Sequence, residues 1–120
     1  MEAVFEQVPH SGQFQFTLQV SATMNFSAVA AQRIVSRFVA DEVSYMLRTG
    51  KPALVITEPI VWRVPVLLAL PHHGAVGEVG HIDVDINTGA HSLTPEEIDQ
   101  MRQNADDQAA RYPTVSSSTP

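Results

Sequence analysis

The residues of this chain with the clearest capacity for chemistry are histidines and aspartates between positions 72 and 85. His81, Asp83 and Asp85 occupy alternate positions, so in a β-strand their side chains project from one face. His72 and His73 precede the same stretch. Imidazole and carboxylate groups so arranged could form a two-histidine, one-carboxylate metal site or a general acid–base pair. The predicted metal set is His72, His73, His81 and Asp83, although charges also alternate on the solvent face of strands for solubility alone.

Other catalytic and metal-binding motifs fail when their spacing is tested. Asp83, Asp85 and Asn87 match the first, third and fifth positions of a calcium loop. That loop needs glycine and glutamate where this chain has Thr88 and Thr94. The chain has no cysteine and no G-x-S-x-G turn for a serine nucleophile. The sequence therefore predicts no catalytic residue and no cofactor, and it favours a non-enzymatic role without settling the point.

Trp62 and Arg63 suggest a contact with another protein. They lie side by side in the most apolar stretch of the chain, so in a strand they point to opposite faces. An exposed tryptophan beside an arginine is a typical interaction anchor. Trp62 also fits the core beneath a helix, which leaves Arg63 as the better candidate for a contact. Together with Asp83 and Asp85, these two residues form the predicted partner-binding set.

The periodicity of apolar residues predicts the elements that position these side chains. Residues 13–20 alternate between apolar and polar, as in a strand with one buried face. Apolar residues at helical spacing follow from Ser27, and Thr94-Pro95-Glu96-Glu97 is typical of a capped helix start. The predicted elements are a strand over 13–20, a helix over 27–49, strands over 53–57, 60–70 and 76–86, and a helix over 94–112.

This order of elements predicts an α+β domain over residues 1–112. Its two layers follow the order β-α-β-β-β-α, with a four-stranded antiparallel sheet and two helices on one face. The other face, which carries His81, Asp83 and Asp85, is either solvated or used for binding. Pro65 lacks an amide hydrogen, so its strand is expected at an edge or with a bulge at that point. Residues 113–120 are too polar to fold alone and are predicted to form a flexible tail.

Composition and charge restrict the classes of function. Thirteen acidic residues outnumber seven basic ones, and the basic ones are scattered, so direct nucleic-acid binding is disfavoured. An acidic surface suits a basic protein partner, for instance the substrate groove of a nuclease. The longest apolar stretch is interrupted by Arg63 and Pro65, which argues against a membrane role. Without cysteines, and with no signal-like start expected, the predicted location is the cytoplasm.

Two segments of the chain resemble known families. The segments W-R-V-P-V-L-L-A-L and G-E-V-G-H-I-D-V-D-I-N-T-G-A-H resemble the meander of PepSY-type domains, whose second strand ends in V-D-x-x-T-G, here Val84 to Gly89. The resemblance covers Phe26 to His91 and implies an inhibitory or binding module. The same strands are similar to those of small uncharacterised bacterial proteins associated with neighbouring toxin genes of the PIN-nuclease type. That second resemblance implies an antitoxin-like partner protein.

Three hypotheses of function follow. The leading one is a non-enzymatic protein-binding module, the neutralising, antitoxin-like partner of a bacterial toxin, with contacts made by Arg63, the polar sheet face and the tail. The alternative is a small metal-dependent enzyme or ligand-binding domain that uses His72, His73, His81 and Asp83. In the third, a homodimer forms through the polar sheet face or an unpaired edge strand.

Overall fold

The computed structural model describes residues 12, 17 and 19–112, and it confirms the α+β class. Its sheet has four strands, with antiparallel pairing throughout. The elements are, in chain order, α1 (Ala28–Glu42), β1 (Leu47–Thr49), β2 (Ala53–Val55), β3 (Val61–Leu70), β4 (Gly74–Asp85) and α2 (Pro95–Ala109). Within the described ranges, no helix combines the length and the apolar composition that crossing a bilayer requires.

The four strands are not the four that the sequence predicts. The predicted strand over 13–20 lies largely outside the described residues, and its described positions, Thr17, Gln19 and Val20, are in no strand. The predicted tail over 113–120 lies outside the described residues as well. Among the described residues all four strands stand between the two helices, and the additional strand is β1.

The first helix is shorter than predicted, because its last predicted turns form a turn and β1 instead. Ser27 caps the start, where its hydroxyl accepts a hydrogen bond from the Ala30 amide. At the other end the amides of Val43 and Ser44 both donate to the Val39 carbonyl, which closes the helix. Leu47 then pairs with Leu68 in the sheet and is 2% exposed. The prediction of helix up to residue 49 is therefore wrong.

Strand β3 is the centre of the sheet, and Pro65 sits in its middle. β4 pairs with β3 along its whole length, whereas β1 and β2 share the other side and leave a gap at residues 64 and 65. The Pro65 carbonyl accepts a hydrogen bond from the Gly50 amide on that side. Since N–H and C=O of one strand residue point the same way, the hydrogen that proline lacks would have faced the gap. β3 is thus not an edge strand, and the nearest register shift falls between Val66 and Leu67.

One core joins the sheet to both helices. The even-numbered residues of β3 from Val64 to Leu70 are buried, and so are residues of α1 and α2 that pack with them. The buried members of this cluster are Ala31, Val35, Val39, Leu47, Val64, Val66, Leu68, Leu70, Val79, Ile82, Val84, Met101 and Ala105. Burial of these side chains is the main force that holds the helices on the sheet.

Helix α2 is fixed by its start and by contacts with its neighbours. The predicted start is confirmed, because the Thr94 hydroxyl accepts from the Glu97 amide and the Glu97 carboxylate accepts from the Thr94 amide, both at 3.1 Å. Asn104 donates to the Val79 carbonyl of β4 at 2.9 Å. Arg102 donates to the Glu42 carbonyl at 2.6 Å, so its positive charge lies at the C-terminal end of α1. A cation is favourable there because helix carbonyls at that end are unpaired and carry partial negative charge.

Replacing Arg102 by alanine is expected to lower the free energy of unfolding by about 1 kcal/mol, since the carbonyls at the end of α1 lose a charged donor. Urea denaturation followed by circular dichroism measures the change. Gln103→Ala is the matched control, because Gln103 is exposed and bonds only within α2, to Asp107. Its expected change is within about 0.5 kcal/mol. Equal losses in the two variants would contradict a link between the helices through Arg102.

Candidate functional site

The histidines of the β3–β4 hairpin do not form the predicted metal site. His72 and His73 lie in the turn between the strands, where His73 packs against Tyr112 with ring centroids 5.3 Å apart. His81 lies in the middle of β4 opposite Pro65, about 20 Å along the strand from that turn. Among the described residues, no group of three or more His, Asp or Glu side chains is placed to hold a metal ion. The predicted set of His72, His73, His81 and Asp83 is therefore corrected: its members are too far apart to share one ion.

Arg63 and Asp83 are brought together by the register of β3 and β4. They are direct cross-strand partners, and the guanidinium binds both carboxylate oxygens, Nε to Oδ1 at 2.9 Å and Nη2 to Oδ2 at 3.0 Å. Asp83 raises the pKa of Arg63 above its ordinary value, through these hydrogen bonds first and through charge attraction second. Both side chains stay partly exposed, at 43% and 36%. The predicted contact residue Arg63 is thus already neutralised by a residue of its own sheet.

Asp85 organises the turn that follows β4. Its Oδ1 accepts hydrogen bonds from the amides of Asn87 at 2.7 Å and Thr88 at 3.1 Å. Its carbonyl accepts from the Gly89 amide at 2.9 Å, and Gly89 has a φ of +74°. The sequence prediction of a turn with glycine at positive φ is confirmed. One oxygen of Asp85 is therefore committed to the fold.

Trp62 links Phe26, which lies just before α1, to the sheet through a hydrogen bond. Its indole Nε1 donates to the Phe26 carbonyl at 2.8 Å, and its ring packs against the core. The Phe26 amide in turn donates to the Ile86 carbonyl at 3.0 Å. Of the two interpretations open for Trp62, these contacts describe the structural one, and the side chain remains half-buried.

A polar groove of about 350 Å³ lies beside the start of α2. It is called the acidic groove here, because its charged walls are the carboxylates of Asp83, Asp85 and Glu97. The imidazoles of His81 and His91 also line it. The groove brings together two of the predicted partner-binding residues and adds Glu97, which sequence reasoning used only as a cap.

The solvent side of α2 is strongly negative. The helix holds Glu96, Glu97, Asp99, Asp106 and Asp107 against the single cation Arg102, a net charge of 1 − 5 = −4, compared with −6 for the whole chain. Four of these acids form the acidic stripe, which lies within an arc of about 100° and is exposed at every position. The stripe consists of Glu96, Asp99, Asp106 and Asp107. The apolar periodicity that predicts this helix does not include the stripe, although the same helical spacing aligns its four acids.

A further cavity, of about 840 Å³, lies along α1. Its charged walls include Arg33, Arg37, Asp41 and Glu42, whose charges balance. Ser36, also on its wall, shares a 2.7 Å hydrogen bond with Thr49. His91 lines the cavity too, but its buried Nδ1 has no hydrogen-bond partner. The described walls therefore contain no hydrogen-bonded pair of nucleophile and base of the kind that acyl transfer requires.

The geometry so far offers a neutral sheet surface, an acidic helix with a groove beside it, and no assembled catalytic set among the described residues. No protein-family model, no curated protein and no solved structure matches the chain.

Proposed function

We propose that this chain is a cytoplasmic, non-enzymatic protein-binding module that neutralises a basic bacterial toxin, in the manner of an antitoxin. The observation that carries the proposal is the acidic stripe of α2, together with the acidic groove beside the start of the same helix. In this proposal the chain binds neither nucleic acid nor membrane directly. Its partner is a protein with a basic surface, such as the substrate groove of a nuclease.

Charge supports this choice of partner. Among the described residues, the salt bridges of α2 are limited to one between Arg102 and Asp99, with N and O 3.4 Å apart. The remaining carboxylates of the stripe are not neutralised by this salt bridge, so they produce a negative electrostatic potential in the solvent around α2. Such a field accelerates encounter with a positive surface and repels other acidic proteins. A nuclease that binds phosphates must offer a positive surface of that kind.

The acidic groove supplies a more specific contact. Asp85 uses Oδ1 in its turn and Glu97 uses Oε1 in the helix cap. Oδ2 of Asp85 and Oε2 of Glu97 take part in none of these hydrogen bonds. A lysine or arginine of the partner that enters the groove would form charge-assisted hydrogen bonds with them. Arg63 supports this surface from the sheet, since it holds the Asp83 carboxylate in place.

Neutralising the stripe tests the proposal. The probe is the product of the gene next to the one that encodes this chain, and the variant changes Glu96 to Gln and Asp99, Asp106 and Asp107 to Asn. We expect a complex with the wild type on gel filtration and relief of toxicity on co-expression. For the variant, the association rate measured at low salt falls by about tenfold to hundredfold, because electrostatic steering is lost.

The matched control neutralises two exposed acids elsewhere, Asp41→Asn and Glu42→Gln at the end of α1. Association is expected to change by less than about threefold in this control. Raising the salt concentration should remove most of the difference between wild type and stripe variant. Absence of a complex together with unrelieved toxicity would refute the proposed function, and equal rates for variant and control would refute the role of the stripe.

A further inference from the structure

The sheet has a second surface, on the side away from the core, whose apolar centre the proposed function does not use. This outer sheet face is centred on Pro65, Leu67 and Ala69 of β3, which belong neither to the core cluster nor to the side chains packed against it. One cross-strand row runs from Arg48 through Leu67 to Glu78. Each of the three central residues is partly exposed, so the middle of the sheet presents apolar surface to solvent.

The charge of this face differs from that of the rest of the molecule. Arg48 and Arg63 carry two positive charges, and Glu78, Asp83 and Asp85 carry three negative ones, so the face has a net charge of only −1. The chain as a whole carries −6. Two copies therefore repel each other more strongly when α2 faces α2 than when the outer sheet faces meet. A surface with an apolar centre and nearly balanced charges around it can bind the identical surface of a second copy.

We infer that the outer sheet face binds a second copy of this chain, by an isologous contact about a twofold axis parallel to β3. Such an axis over Leu67 exchanges the two sides of the sheet, since β1 and β4 flank β3. Arg48 of each copy then faces Glu78 of the other, and Leu67 faces Leu67. Arg63 approaches its own symmetry mate without repulsion, because Asp83 neutralises it. The stripes of α2 stay free for another partner.

The size of the face predicts a weak dimer. Three strands with the ten residues of β3 at their centre span about 33 by 14 Å, roughly 500 Å² in each copy. That area lies at the small end of specific interfaces, so the dimer is expected to dissociate on dilution. Sedimentation or light scattering of the full chain should show a mass that rises from 13.1 kDa toward twice that value as the concentration increases.

Variants of the outer sheet face test the contact. Leu67→Glu is expected to raise the dissociation constant at least about thirtyfold, since a charge replaces the apolar centre. Arg48→Glu and Glu78→Arg should each raise it about fivefold, whereas the double variant, which exchanges the charges, should restore it. Val29→Glu is the control, because Val29 is 57% exposed on α1. Circular dichroism confirms that every variant is folded.

The dissociation constants of the variants decide whether the dimer forms through the outer sheet face. A dimer that is lost in Leu67→Glu and in the single charge variants, and regained in the double variant, supports the inference. A wild type that stays monomeric over an about hundredfold range of concentration overturns it. A dimer that survives Leu67→Glu, or a double variant that remains monomeric, overturns it as well. Arg48, Leu67 and Glu78 belong neither to the acidic stripe nor to the acidic groove, so the toxin experiment succeeds or fails independently.

Discussion

Replacing Gly89 by alanine is expected to lower the free energy of unfolding by about 3 kcal/mol. Gly89 has a φ of +74°, a left-handed conformation that costs an L-residue about 1 to 2 kcal/mol. A Cβ atom there would also stand 2.5 Å from Cζ of Phe26 and 2.8 Å from Cε2. Phe26 cannot easily move away, because its amide and its carbonyl are both hydrogen-bonded, to Ile86 and Trp62. The collision adds a further penalty of about 1 to 3 kcal/mol.

The variant Gly74→Ala separates the cost of the left-handed conformation from the cost of the collision with Phe26. Gly74 has a similar φ of +70°, but nothing lies within 4 Å of the position its Cβ would take. This control should lose only the conformational part, about 1 kcal/mol. Urea denaturation followed through the fluorescence of Trp62, the only tryptophan of the chain, measures both variants. If Gly89→Ala costs no more than Gly74→Ala, the close contact with Phe26 does not contribute.

The sequence correctly predicts the features that depend on residues only a few positions apart in the chain. The start of α2 follows from Thr94 and Glu97, whose reciprocal hydrogen bonds involve residues three apart. The turn after β4 follows from Asp85 and Gly89 in the same way. The end of α1 is different, because an apolar residue such as Leu47 fits the buried side of a helix and of a strand equally well. Helical spacing of apolar residues cannot distinguish these outcomes, and the pairing with Leu68 decides them.

The same distinction between local and distant contacts applies to the candidate site. The acidic stripe is readable from the sequence, since helical spacing alone aligns its members. The Arg63–Asp83 pair is not, because it depends on the register of two strands whose paired residues lie 20 positions apart. The predicted metal set failed for a related reason. Residues near each other in the sequence of a hairpin are separated in space when the strand is long, as His73 and His81 are.

Replacing Trp62 by alanine is expected to lower the free energy of unfolding by about 3 kcal/mol. The change removes a large ring that packs against the core and the donor that holds the Phe26 carbonyl. Trp62→Phe keeps most of the packing and loses the hydrogen bond, so about 1 kcal/mol is expected. Leu54→Ala is the matched control, because Leu54 is the cross-strand partner of Trp62 but is 45% exposed. Its loss should stay below about 1 kcal/mol.

Circular dichroism during urea denaturation measures all three variants, since the two Trp62 variants lack the fluorescent side chain. The result also decides what Trp62 contributes to function. A residue that serves only as a contact with a partner would leave stability unchanged when replaced and would weaken binding directly. If Trp62 instead serves to anchor Phe26, its replacement lowers the free energy of unfolding. Trp62→Phe, once folded, then binds a partner as the wild type does. The second outcome is expected, because the indole donor already has its acceptor within the chain at 2.8 Å.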